Sequence, residues 1–555
     1  MDIRARSWSR RLGAALAAYA GCALVAGLVF LPVSVERAIE GVHFTDRMGT
    51  FPVEVSLCHD GRSTLDTGIF GSVYWADTGP HGFGAYARTT GPPEAGGTLA
   101  SYVDPAFIEA NVALINDPDS VVRAYSDQFA DGLWRIVLRD ELAVALIGGV
   151  VLSMVLPRRR WRDAPVRREL LIAALLVAGA LAVSGTVATR LFDTWPCSRA
   201  TGPTYGMSEV DRLSFASPET REVAEQVKPF IEKNLERTRE RSGAYEAAAA
   251  ASFATALSGR ALEFAPRPGE TIVLAEADPQ GSFVGVHVRT RLYADLIEAL
   301  GPGAVSARTI AGDVTSNGTV AESAYVAAEA RVAGDVPTVA VGGDHDSTTT
   351  WQQLADAGID MPDLEKPDVE VAGLRISGAN DREHKTLFGG IITNDSGISE
   401  LELGEQLRAQ VDDRARIVLL HQPGAGAGYL GIDSLGSLAP GSLTTPRNDG
   451  IADLPPGIVD VGHHHEAEGP WVVWNTDGDR TTWTLVDQLG TAGGAESLPT
   501  FDRFSTPISA PLKTLMVRLH YVDVESGLAT GYATISCDLS GLCDITDRVD
   551  VGLPR

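Results

Sequence analysis

The chain has little cysteine and comparatively little positive charge. Only 5 of its 555 residues are Cys, and none are in Cys-x-x-Cys spacing, so no cysteine-built metal knuckle can organise the fold. Lys and Arg number 46 against 72 Asp and Glu, a net charge of −26. No basic stripe with interleaved aromatics occurs outside the apolar segments, which excludes nucleic acid as a partner. The acidity reads as a solvated surface. There is no internal repeat. The cysteines present suit an oxidising exterior. Cys537 and Cys543 flank a turn-like segment and are expected to pair. Cys58 and Cys197 remain, and joining them would tie the first outer segment to the second. Cys22 lies in an apolar run as a packing residue.

Apolar residues are 44% of the chain, and they are concentrated. Leu12 to Val35 and Leu170 to Thr189 are long enough to cross a bilayer, and Leu142 to Pro157 is a shorter third candidate. Arginines orient them. Arg4, Arg6, Arg10 and Arg11 precede the first span. Arg158, Arg159, Arg160, Arg162, Arg167 and Arg168 lie between the second and third. The positive-inside rule then places residues 1–11 and 158–169 in the cytoplasm, and 36–141 and everything after 189 outside. A cleaved signal peptide is the other reading of the first span, but the span is long for an apolar core and lacks a convincing small-x-small site before Glu36. Arg is used over Lys with much Ala and Gly, as in a high-GC bacterium. The expectation is a multi-pass protein of a bacterial cell membrane with its main domain extracytoplasmic.

Residues 36–103, with short alternating runs such as Gly71 to Trp75, predict a small β-rich element, and 104–141 a helix. Residues 193–216 read as a linker. Ser217 and Pro218 then resemble an N-cap and first helical position. Val223, Val227, Ile231 and Leu235 recur on one helical face, and Ala247 to Ala251 continue the tendency. Residues 190–264 are thus a linker and helical segment before a large domain at 265–555.

Five short apolar runs in that domain each lead into a carboxylate or an imidazole. Ile272 to Leu274 precede Asp278, Thr309 to Ala311 precede Gly312-Asp313, and Thr338 to Val341 precede Gly343-Asp344-His345-Asp346. Ile417 to Leu420 precede His421, and Ile458 to Val461 precede Gly462-His463-His464-His465. Such runs read as buried strands, and functional groups of α/β sheets gather at the carboxyl ends of strands. Two divalent ions about 3.5–4 Å apart need a carboxylate that bridges them, with imidazoles that give geometry without charge. Asp313 is the candidate bridge, and His463 with His465 can offer one imidazole to each ion. Glycine before a ligand permits a sharp turn and keeps bulk away.

This order of motifs resembles that of the calcineurin-like metallophosphoesterases over roughly residues 265–555. The resemblance implies an α/β fold: a two-sheet sandwich flanked by helices, preceded here by transmembrane helices and the small β-rich domain. It implies two divalent metal ions, zinc, manganese or iron. Asp278, Asp313 and His465 resemble the first metal's ligands, with Gln280 at the position of another; Asp313, His421 and His463 resemble the second's, with Asp344 at the position of another. His345 would protonate or orient the phosphate, with Asp346 holding its imidazole. Gly378-Ala379-Asn380-Asp381 echoes a Gly-x-x-Asp that often follows the third motif.

Two positions depart from the family pattern. Gln280 stands where the family has His, and amide oxygen is the poorer transition-metal ligand. Asp344 stands where it has Asn, which should hold a cation more tightly but leave it less Lewis acidic. The first motif can also be read as Glu276-x-Asp278; Asp278-x-Gln280 is preferred because Gly281-Ser282 then falls where the family often has Gly-Asn. The expected function is metal-dependent hydrolysis of a phosphomonoester or phosphodiester, with an envelope component among the candidate substrates. The alternative is a catalytically degraded relative that binds metal or a phosphate ligand as sensor or scaffold. His43, His59, His81, His287 and His520 lie singly and read as surface or satisfied core residues. Arg382, Glu383, His384 and Lys385 read as a solvated loop, with phosphate contact by Arg382 or Lys385 as the sharper alternative. Gly490 to Gly494 reads as a turn beside the metal site.

Overall fold

A computed structural model of the protein describes residues 3–48, 51–58, 61–66, 72–76, 83–90, 118–155, 178–179, 181–182, 185–186, 204–207, 210–316, 318, 322–385, 392–394, 396–438, 441–447, 450–451, 453–477, 480–494 and 513–553. The chain is mixed α/β and divides into two compact units, residues 1–92 with 118–226, and residues 93–117 with 227–555.

In the first unit, helix α1 (Ile3–Gly41) packs along helix α2 (Pro118–Val155). Gly148 and Gly149 of α2 lie against Ala26 and Ala23 of α1, so closely that a Cβ on Gly148 would come within 2.7 Å of the Ala26 methyl. Polar bonds join the same pair: Ser34 Oγ donates to Glu141 Oε1 at 2.7 Å, and Arg37 pairs with Asp140 at 3.3 Å. Large apolar side chains on the remaining faces, among them Leu24, Phe30, Leu142 and Ile147, stand exposed. Tyr19–Ile39 is long and apolar enough to cross a membrane, the one such stretch among the described residues. The second expected span is the end of α2, continuous with the helix expected before it. The third, at 170–189, lies almost wholly outside the described residues, as do 104–117 and Cys197.

Strands β1 (His43–Met48), β2 (Phe51–Cys58), β3 (Arg62–Asp66), β4 (Ser72–Ala76), β5 (Gly84–Thr89), β6 (Tyr205–Met207) and β7 (Val210–Phe215) form one sheet in the order β1-β2-β5-β3-β4-β7-β6. The stretch read as a linker therefore carries two strands, β7 pairing antiparallel with β4. The sequence concealed this because β6 is only 3 residues long. Helix α3 (Pro218–Leu257) follows. The side chains of Val223, Val227, Ile231 and Leu235 lie outside what is described, but Tyr245, Ala249, Phe253 and Leu257 are buried against the second unit's core.

That unit is layered as helices, sheet, sheet, helices. The first sheet has the order β10-β9-β8-β19-β20-β21, from β8 (Glu270–Glu276), β9 (Val305–Ala311), β10 (Thr338–Val341), β19 (Leu515–Asp523), β20 (Ala529–Cys537) and β21 (Cys543–Ile545), with β22 (Val549–Asp550) also on β20. The second has the order β11-β12-β15-β16-β18-β17, from β11 (Asp368–Val371), β12 (Leu374–Gly378), β15 (Arg416–Leu419), β16 (Gly457–Val461), β17 (Glu468–Asp477) and β18 (Arg480–Gln488). A short pair, β13 (His384–Lys385) and β14 (Ile392–Thr393), stands apart. Strands β8, β9 and β10 run parallel, as do β12, β15, β16 and β18. Parallel strands buried on both faces need continuous apolar runs, which is what the five runs supply.

Val273, Ala307, Val341, Ile376, Leu419, Ile458 and Leu485 fill the space between the sheets. Helices α4 (Phe283–Leu300), α5 (Ser323–Glu329) and α6 (Thr348–Asp356) cover the first sheet, through Leu292, Tyr325 and Leu354. Helices α7 (Glu400–Gln410) and α8 (Pro423–Leu430) cover the second, through Leu407 and Tyr429. A fully buried ion cluster fastens the first helix layer: Arg289 of α4 and Arg308 of β9 are shared by Glu276 of β8 and Glu329 of α5, with Arg289 Nη2 at 2.8 Å from Glu329 and Arg308 Nη2 at 2.8 Å from Glu276. The Cys537–Cys543 disulfide is formed, across the β20–β21 pair. Cys58 is buried, its Sγ 3.7 Å from the Arg62 carbonyl.

Candidate metal centre

The loops that follow β8, β9, β10, β15 and β16 meet at one end of the two sheets. Asp278, Asp313 and Asp344 come from the first sheet, His421, His463 and His465 from the second. Of these six, the carboxylates thus come from one sheet and the imidazoles from the other. The loops interlock through the backbone, Asp278 N donating to Gly312 O at 3.1 Å and Gln280 N to Asp313 O at 2.9 Å.

Seven non-glycine residues among those described have positive φ, and five of them are here: Asp278 (51°), Gln280 (42°), Asp313 (53°), His463 (76°) and His465 (58°). Each such residue costs about 1–3 kcal/mol, so the fold concentrates strain where these side chains converge. The glycines before the ligands make room. A Cβ on Gly312 would strike the His421 ring, one on Gly343 would strike Asp313, and one on Gly462 would lie 2.7 Å from Asp278 Oδ2.

Three donor atoms form the tightest group. His421 Nε2 lies 2.9 Å from Asp344 Oδ1, His463 Nδ1 lies 3.2 Å from the same oxygen, and the two ring nitrogens are 3.3 Å apart. Ligands about 2.0–2.1 Å from a tetrahedral zinc are separated by about 3.3–3.4 Å, so the spacing is that of a coordination shell. His421 Nδ1 faces the Ala311 carbonyl at 2.9 Å, which directs Nε2 toward the carboxylates. Asp313 adjoins this group, its Oδ1 3.3 Å from His421 Nε2. On its other side lies a second group, with His465 Nε2 3.5 Å from Asp278 Oδ1. Asp278 is fixed from the second sheet: His463 N donates to both its oxygens at 3.0 Å, and Thr491 Oγ1 donates to its carbonyl at 2.7 Å. Thr491 gives the 490–494 turn its place beside the centre.

Three buried carboxylates with few cations disturb one another's titration. Burial pushes Asp278 up to about 8, against the pull of His421. Burial also opposes ionisation of Asp313, but His421 outweighs it and holds Asp313 near about 2. His421 is raised well above its ordinary value, since Asp313 overcomes the burial of the ring. Asp381, which follows β12, is driven by burial up to about 7; the Gly-x-x-Asp echo was its only signal in the sequence. A dication among these groups would satisfy the carboxylates together, and the donor set fits one.

One sequence expectation is corrected here. Asp346 does not hold the His345 imidazole. It accepts from the Val314, Thr315 and Gly343 amides at 3.0, 2.8 and 2.9 Å and from Thr315 Oγ1 at 2.7 Å, pinning the Asp313 loop to its own. His345 Nδ1 instead faces the Ser316 carbonyl at 2.8 Å. A residue with four amide and hydroxyl donors around it has no geometry left for the neighbouring ring. Gln280, expected as an oxygen ligand, is placed with Nε2 donating to Asp313 Oδ2 at 3.1 Å. The register alternative for the first motif is also resolved, because Glu276 points into the arginine cluster on the opposite face of β8. Arg382 is engaged by Asp363 at 2.7 Å, and His464 is exposed. No protein-family model matches the chain, and no curated protein matches it.

Proposed function

We propose that the second unit is a two-metal phosphoesterase of the metallophosphoesterase type. The observation that carries this is the convergence of His421 Nε2, His463 Nδ1 and Asp344 Oδ1 within 3.3 Å of one another, with Asp313 between them and the Asp278–His465 pair. One ion would be held by Asp313, Asp344, His421 and His463, the other by Asp278, Asp313, His465 and Gln280 once its amide turns oxygen inward; amide oxygen and nitrogen exchange places by a simple flip. Bound divalent ions supply Lewis acidity toward a phosphoryl oxygen and a nucleophile at neutral pH. The chain's own contribution is positional. His345, its Nδ1 turned to Ser316 O and its ring grouped with Asp313 and Asp344, would orient or protonate the phosphate. Asp346 keeps the His345 and Asp313 loops in register. In this reading α1 and α2 anchor the protein in a bacterial membrane as part of a multi-pass segment, the unit works outside, and the substrate is a phosphoester, an envelope component among the candidates.

One observation favours a second reading. Gln280 is hydrogen-bonded to Asp313 in the place of a metal-binding imidazole, as in a degraded relative that binds metal or phosphate as sensor or scaffold. Metal content of the purified full chain, measured beside turnover of a chromogenic phosphodiester and monoester, separates the two. Two ions with turnover supports the enzyme; two ions without turnover across a broad panel supports the sensor; no bound ion defeats the enzyme and the metal-binding sensor and leaves only a phosphate-binding scaffold.

A further inference from the structure

We infer that four buried polar side chains between the sheets, Asp460, Asp487, Arg518 and His520, set the separation of the two ligand groups of the metal centre. This rests on the two-metal reading above. Asp460 of β16 and Asp487 of β18 lie side by side in register, and Arg518 and His520 lie on β19 of the other sheet. Arg518 donates to both Asp487 oxygens, Nε at 2.7 Å and Nη2 at 2.9 Å. His520 Nε2 is 3.0 Å from Asp460 Oδ1 and 3.9 Å from Asp487 Oδ2. Asp460, Asp487 and His520 are at 0% exposure.

The bonds are incomplete: among the described residues, Asp460 Oδ2 and His520 Nδ1 have no hydrogen-bond partner. Buried polar atoms are normally satisfied, and apolar side chains of similar volume often replace a buried ion pair without loss of stability. Stability alone therefore does not account for the cluster, whereas its position does. One step further along β16 and β18 come the groups that grip Asp278, namely Gly462, His463 N and Thr491. Across the gap, His520 pairs in register with Val273 of β8, the strand that leads to Asp278. The layer between cluster and centre is Ala275, Ala277, Ala311 and Leu489, and alanines interlock too little to stop one sheet sliding on the other. Directional hydrogen bonds do stop it. Because the carboxylates come from one sheet and the imidazoles from the other, sheet register is metal geometry. The four are positioning residues.

The test uses the full chain in detergent, stripped of metal and titrated with Mn²⁺ while the electron paramagnetic resonance spectrum is followed. Wild type should take up two ions with an exchange-coupled signal. D460L/H520L, which removes the pair without leaving a lone charge, should stay folded, bind about tenfold more weakly and show altered coupling; H520Q should do the same in milder form. L519A, on the opposite face of β19 in the core under α4, should lose stability and keep the wild-type spectrum. Folded D460L/H520L or H520Q with wild-type affinities and coupling overturns the inference, as does an equal loss in L519A. A wild type that binds no Mn²⁺ defeats the two-metal reading itself.

Discussion

Gly462→Ala is a steric probe of the centre. Gly462 is not among the glycines with positive φ, so alanine adds volume there without a left-handed backbone penalty. Its Cβ would lie 2.7 Å from both Asp278 Oδ2 and Ala277 Cβ, and 3.1 Å from Ala311 O. Non-bonded heavy atoms settle at about 3.5 Å, so Asp278 must retreat by roughly 0.8 Å, several times the tolerance of about 0.2 Å in a metal–ligand distance. Retreat is blocked along the chain, because the Asp278 oxygens accept from His463 N and its carbonyl from Thr491. Moving the strand end instead displaces His463 and His465. Affinity for the ion assigned to Asp278 and His465 should therefore fall roughly 10–100-fold, at a fold cost of about 1–3 kcal/mol for overpacking. Calorimetric titration of the metal-free full chain reads the first quantity and thermal unfolding the second. Gly243→Ala is the control: nothing lies within 4 Å of its Cβ on the exposed side of α3, so it should stabilise by about 0.5–1 kcal/mol and leave metal binding alone. Folded Gly462→Ala with unchanged affinity for both ions would refute the arrangement.

Asp313→Asn should remove bound metal and activity together, because an amide cannot neutralise two cations as a carboxylate does; retention of both ions by mass spectrometry of the native protein would exclude Asp313 as the bridge. His345→Ala should keep metal content and lower turnover by roughly 10²–10⁴-fold, and a parallel loss of metal would make it a ligand instead. Gln280→His with Asp344→Asn exchanges two oxygen donors for one imidazole and one neutral amide, so competition titration should move preference from Mn²⁺ toward Zn²⁺; an unmoved ratio would show that these side chains do not face the ions. Glu329→Gln should cost about 3–5 kcal/mol by leaving Arg289 and Arg308 to share Glu276. The same group predicts acid sensitivity. Burial opposes its ionisation, but Arg289 and Arg308 hold Glu329 at about 2, below the unfolded value of about 4.3. Its contribution is complete above about pH 4.3 and fades as pH falls toward 2. Urea midpoints across that window, flatter in Glu329→Gln, check it.

The five strands and the polar residues that follow them were legible because each is a local signal, an apolar run that leads into a polar tip. Asp278, Asp313, Asp344, His421, His463 and His465 could all be named from such runs. What failed was side-chain direction. Asp346 sits next to His345 in sequence, but its loop turns it onto the Val314 and Thr315 amides, and no pattern in Gly343-Asp344-His345-Asp346 reveals that. The strands at 205–215 were missed because edge pairing with β4 is settled by the sheet and leaves no periodicity in so short a stretch. His520 was legible only as a surface or satisfied core residue, since its partner Asp460 lies in an unrelated run and the two meet only when the sheets stack.

A centre whose carboxylates and imidazoles come from different sheets has no precursor in either half. The first sheet alone brings Asp278, Asp313 and Asp344 together, a cluster of like charge in which burial first, and Asp313 and Asp344 after it, push Asp278 up to about 8. The second alone brings three imidazoles to one edge with nothing to coordinate between them. Docking the sheets buries Val273, Ile376, Leu419 and Ile458 between them, and that apolar gain must outweigh both the carboxylate repulsion and the strain of five left-handed residues. A metal that binds only the docked pair adds RT ln(1 + [L]/Kd) to the stability of the stacked form. It relieves the repulsion at the same place. Divalent ions are therefore expected to raise the unfolding temperature of this unit well beyond what chelation alone of surface carboxylates would produce, and Gly462→Ala should blunt that rise in proportion to the affinity it loses.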